Sequence, residues 1–141
     1  MAENTVIKDP QQIPKILNVI HDCWFNKDDI VYDSKSSILS IKFKREIIDK
    51  KQTLKRFWFL KKVRIPSVEC FLKIHHAESY SVKDIAQVGS YDFNEIKYDL
   101  GQKTLTISTG VPIHIEIKVR QFEVSVEETE KVVGERTTIS I

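Results

Sequence analysis

The chain has 141 residues and a formal net charge of +2, with 41% apolar and 30% charged side chains. That balance is the profile of a globular rather than a disordered polypeptide and, at the level of the whole chain, argues against a dedicated nucleic-acid binder. Four Gly and four Pro leave little room for linkers. Residues 1–141 therefore read as one domain, with 1–8 and 127–141 as candidate frayed tails.

The opening "MAENTVIKDPQQ" is polar and lacks the apolar segment of a signal peptide. Nothing later approaches the length of a membrane span. The expectation is a cytoplasmic protein with no membrane association. In that setting Cys23 and Cys70 read as reduced, buried thiols rather than a disulfide.

One helix is expected, in "DPQQIPKILNVIHDCW". Asp9 can cap it with Pro10 at the first helical position. A start at Pro14 is the alternative, because the residue before a proline avoids helical dihedrals. Ile16, Leu17 and Ile20 form its apolar stripe, and it ends near His21 to Trp24.

From residue 28 onwards, period two takes over. Leu39, Ile41 and Phe43 alternate with Ser40, Lys42 and Lys44. Val68, Cys70, Leu72 and Ile74 do the same, as do Leu105 and Ile107. Each reads as a strand with one buried face. In "YDFNEIKYDL" the parity of Tyr91 and Phe93 differs from that of Ile96 and Tyr98, which predicts a β-bulge. The same logic places a bulge near Arg120 and Gln121 inside one long strand, where Val111–Val119 give way to Phe122, Val124 and Val126. The final "EKVVGERTTISI" is weakly patterned and is either an edge strand or a frayed tail.

"DDIVYDSKSSILSI" (28–41) and "NEIKYDLGQKTLTI" (94–107) match without a gap at a spacing of 66 residues. The shared Ile, Tyr, Asp, Leu and Ile each suit a hairpin: two aliphatic faces and an Asp that turns the chain through its own side chain. Gly101 is expected to supply the positive φ of the second turn. The match therefore predicts two similar hairpins, the marks of two related β-meander halves, and not a pair of ligand sites.

Catalytic signals are weak. His21 and Cys23 point apart on a helix and are too distant on a strand for one to activate the other. Cys23 and Trp24 read as core. His75 and His76 should point to opposite faces of a strand, and His114 lies on a polar parity. No histidine or cysteine pair has metal-ligand spacing, and no phosphate loop or nucleophile motif is present. No metal, no cofactor and no enzymatic activity are expected.

The departure from bland composition is residues 42–64, with ten basic residues against Glu46 and Asp49. Read as one strand after Leu54, its outer face carries Arg56, Trp58, Lys62 and Arg64, cations around an aromatic ring. These four are the candidate binding residues. The acidic run from Glu116 to Glu135 is a candidate to neutralise them within the fold or across a dimer.

The sequence thus predicts a mainly β fold: an N-terminal helix on a curled antiparallel sandwich or open barrel of about eight strands. The expected function is a non-enzymatic interaction protein that binds a protein partner, or itself as a homodimer, through an exposed sheet face. One alternative is single-stranded nucleic-acid or polyanion binding through strand 55–64. Another is a small enzyme or ligand-binding protein with a pocket near His21, Cys23 and His75.

Overall fold

The computed structural model describes residues 4–47, 52–57 and 60–140. The chain is mainly β with one N-terminal α-helix, as the periodicity predicts. Strand β1 (Asn4–Ile7) leads into a 3-10 turn at Pro10–Gln12 and then α1 (Ile13–Ile20). Both predicted starts are used. Asp9 accepts the Gln11 N–H at 2.9 Å to open the 3-10 turn, and Pro14 sits in the first turn of α1, where its missing N–H costs nothing. Ile16 and Ile20 are fully buried and turn the helix onto the sheet.

Ten further strands follow: β2 (Trp24–Asn26), β3 (Ile30–Asp33), β4 (Ile38–Glu46), β5 (Gln52–Phe57), β6 (Leu60–Ile74), β7 (Ala77–Lys83), β8 (Ser90–Asp99), β9 (Thr104–Thr109), β10 (His114–Val119) and β11 (Val124–Ser140). All pairings are antiparallel. The eleven strands form one sheet in the order β1-β11-β6-β4-β2-β8-β9-β10-β7, with β3 beside β4 and β5 beside β6. The sheet curls without closing. Its curl brings Leu39, Ile41, Phe43, Leu72 and Ile74 from one part into a single cluster with Leu105, Ile107, Ile115 and Ile117 from the other. Each such buried side chain contributes roughly 1.5–3 kcal/mol of transfer free energy. Phe93 joins the halves, stacking on Phe25 at 4.6 Å and meeting the edge of Phe43 at 5.3 Å between ring centroids.

The two matching stretches are both hairpins. Ile30 pairs with Ile41 and Tyr32 with Leu39; 66 residues on, Ile96 pairs with Ile107 and Tyr98 with Leu105. Asp33 accepts the Lys35 N–H and Asp99 the Gln102 N–H, so each Asp turns the chain as expected. Gly101 does not have the positive φ assigned to it. The left-handed residues are Ser37 and Lys103, one position before each outgoing strand. Leu39, Leu105, Ile41, Ile107 and Ile96 are buried, while Ile30 is half-buried. The likeness ends with the hairpins: β9 runs through a short connection into β10, whereas β4 and β6 are separated by the excursion through β5.

The bulge in β8 is present between Phe93 and Glu95, and it keeps Tyr91, Phe93 and Ile96 all buried across the parity change. The second predicted bulge is a different feature. Val111–Glu128 is not one bent strand. β10 pairs with β9 and β7, β11 pairs with β6 and β1, and residues 120–123 carry the chain between them. The parity change there comes from a corner.

The C-terminal stretch is the distal half of β11, laddered to β6 as far as Ser140. β6 thus serves two bodies of structure. From Ser67 to Ile74 it pairs with β4, and from Leu60 to Arg64 with β5. Pro66 lies between, where its carbonyl accepts the Ile47 N–H at 2.9 Å. A proline in a central strand is tolerated because only one ladder bond, on that same side, is forfeited.

Candidate functional site

The basic segment is a hairpin, not one strand. β5 and β6 close on the pair Phe57 with Leu60, which makes the register sum odd. From Lys55 to Phe57, even-numbered residues of β5 therefore share a face with odd-numbered residues of β6. Arg56 is opposite Lys61, while Lys62 and Arg64 occupy the other face, opposite Lys55 and Gln52. The expected common face of Arg56, Lys62 and Arg64 does not form. Trp58 lies outside the described residues. Arg64 Nε is 3.2 Å from Glu135 Oε2, so the acidic C-terminal run does neutralise part of this surface, from the adjacent strand. Arg56 and Lys62 are exposed.

A second locus is a cleft of about 860 Å³ across β2, β4 and β6 and the end of α1. Trp24 lies within it, 50% exposed. It was expected in the core, but β2 is a strand, so Trp24 and Phe25 face opposite ways and only Phe25 is buried. The alternation in "CWFN" was the available signal. Trp24 is the register partner of Lys44 on one side and Asp92 on the other. The cleft's lining is charge-balanced: Lys42, Lys44, Arg45 and Lys131 against Asp22, Asp29, Glu46 and Glu69. Several of these charges are already engaged. Lys42 Nζ lies 3.7 Å from Asp29, and Glu46 receives both Nε and Nη2 of Arg136, at 3.0 and 2.9 Å. That fork holds the Glu46 carboxyl below its usual range.

His21 and Cys23 line this cleft; His75 does not. Burial pushes the Cys23 thiol up to about 11, against the opposing pull of Arg45. Burial, then the Glu128 carboxylate, pushes Cys70 to about 12. Both thiols are free, Cys70 buried and Cys23 half-buried. At neutral pH neither is a thiolate, the form that attacks or binds metal.

The histidine pair differs from its predicted geometry. β6 ends at Ile74, and His76 adopts a left-handed φ of 55°, so both rings turn to Glu123. His75 Nδ1 is 3.8 Å and His76 Nε2 3.2 Å from its carboxylate, and His75 Nε2 shares a 2.8 Å hydrogen bond with Ser125 Oγ. Burial lowers the His75 pKa, with Glu123 partly opposing. Ser125 is 3% exposed, while the side chains of His75, His76 and Glu123 stay 20–35% exposed. Among the described residues, no group of three or more His, Cys, Asp or Glu could hold a metal ion, and no helix is long and apolar enough to cross a membrane.

Comparison with protein-family models, with curated proteins and with solved structures found no match for this chain.

Proposed function

We propose that this chain is a non-enzymatic interaction protein that docks a protein partner in the Trp24 cleft. The observation that carries the reading is a half-exposed tryptophan set in a lining with as many carboxylates as cations. Aromatic anchors with a mixed polar rim characterise protein–protein interfaces. A nucleic-acid groove needs a continuous strip of one sign, which the phosphate backbone rewards. The high thiol pKa values and the buried Ser125 weigh against the enzyme alternative.

The test is site-specific photo-crosslinking. A photoreactive residue at Lys44, beside Trp24, should capture a discrete protein that the same residue at Lys97 does not. Trp24→Ala should abolish that capture while leaving the melting temperature nearly unchanged. Equal capture at both positions would refute the cleft as the docking site.

The polyanion reading keeps one observation of its own. The pair Arg56 with Lys61 places two cations directly opposite one another across the hairpin. Like charges directly opposite destabilise a ladder, and an anionic partner would relieve that. Retention on heparin that falls with salt, and is lost in a Lys61→Glu, Lys62→Glu variant, would favour this reading over the first.

A further inference from the structure

We propose that the distal edge of β11 is a dimerisation edge, paired antiparallel with the same edge of a second copy across a two-fold axis at Thr137. Among the described residues, β1 covers only Val124–Glu127 of β11, and no strand lies on that side beyond it. The hydrogen-bonding direction of the edge follows from Pro66. Its carbonyl points away from β11, toward Ile47, so its neighbours Ile65 and Ser67 are the residues that bond β11. Their partners Arg136 and Gly134 face inward. Glu135, Thr137 and Ile139 therefore direct their N–H and C=O groups outward.

Natural sheets protect such edges with lysine, proline, short strands or cover. Edges at β1, β5 and the start of β7 have some of that protection. β1 is only four residues long, and β5 carries Lys55 and Arg56. The start of β7 is occupied, because the Ala77 N–H donates to Ser37 O and its carbonyl accepts the Tyr32 hydroxyl. Residues 132–140, "VVGERTTIS", have no lysine and no proline, and Ile139 is 67% exposed. The segment's net charge is zero, so a second copy brings no net repulsion.

Charge selects the register. Centring the two-fold axis on Glu135 or Arg136 would set like charges face to face. Centring it on Thr137 pairs that residue with itself, Glu135 with the second copy's Ile139, and Arg136 with its Thr138. Glu135 and Arg136 keep their partners Arg64 and Glu46, so no charge is left unpaired. The contact is isologous and closes at two subunits.

This inference is independent of the Trp24 reading. Sedimentation of the full chain across a concentration series, with amide exchange at Thr137, tests it. The expected result is a monomer–dimer equilibrium in which the Thr137 amide gains protection as concentration rises. Thr137→Pro removes an outward N–H without costing β6 a bond, and Ile139→Lys adds a guarding charge. Each should weaken dimerisation by about 10-fold or more, with the melting curve of the monomer retained. A chain that stays monomeric at every concentration overturns the proposal. So does a dimer that both variants leave intact; if Trp24→Ala then splits it, the second copy occupies the cleft instead.

Discussion

Ser37 and Lys103 lie 66 residues apart and hold the same left-handed backbone, with φ of 57° and 49°, immediately before β4 and β9. A side chain in that region costs roughly 1–2 kcal/mol, and glycine's extra freedom in the unfolded chain takes back part of any relief. Ser37→Gly and Lys103→Gly should therefore each stabilise the protein by about 0.5–1 kcal/mol. Urea unfolding of the two variants and their combination measures this. A loss of stability in either would show that the side chain itself matters there.

Arg45 and Glu128 form an ion pair at 3.0 Å, with Glu128 only 8% exposed. Charged hydrogen bonds of this kind contribute about 1.5–3 kcal/mol, and solvent at the partly exposed Arg45 reduces the figure. Glu128→Ala should cost about 2 kcal/mol in chemical denaturation. An Arg45→Met, Glu128→Leu pair should recover much of it, because apolar replacement removes both desolvation costs together.

The thiols predict an alkaline limit to stability. Both folded-state pKa values stand above the ordinary 9.0, at about 11 for Cys23 and about 12 for Cys70. Below pH 9 both folded and unfolded chains hold these protons, and the full stabilisation is present. As pH rises from 9 towards 11–12, the unfolded chain ionises first, and stability falls. A Cys23→Ala, Cys70→Ala variant should show a flatter profile over that window. At pH 8, Ellman's reagent should label the native protein slowly and the unfolded chain fast.

The hairpins' tyrosines should part company in mutation. The Tyr32 hydroxyl donates to Ala77 O at 2.9 Å, whereas the Tyr98 ring packs against Phe122 at 5.0 Å. Tyr32→Phe should cost about 1 kcal/mol, the net worth of one hydrogen bond. Tyr98→Phe should stay within about 0.5 kcal/mol, since the ring contact is kept. Thermal unfolding of the pair checks the contrast; equal losses would contradict it.

Much of the fold was legible because period two survives in β4, β6, β9 and β10, and because Tyr-Asp marks both hairpin corners. The β8 bulge showed itself through Tyr91, Phe93 and Ile96. What escaped were turns without turn residues. "FWFL" and "VRQFE" hold no Gly, Pro, Asn or Asp, so the β5–β6 hairpin read as a strand and the β10–β11 corner as a bulge. The candidate site suffered most, since one missed turn inverts every side chain beyond it. Arg56 parted from Lys62 and Arg64 for that reason. Trp24 escaped because "HDCW" continued the helical stretch and hid the short alternation of "CWFN", where β2 begins.

Two defects of the β6–β11 ribbon fall at the same level. Pro66 lacks its N–H on one side, and Val133 is the unpaired residue between Val132 and Gly134 on the other. With the unpaired stretch 129–131 just before it, this level is like a scored line across a strip of card. A bend at that level would carry the basic hairpin and the distal β11 edge together, away from the aromatic cluster of Phe25, Phe43 and Phe93.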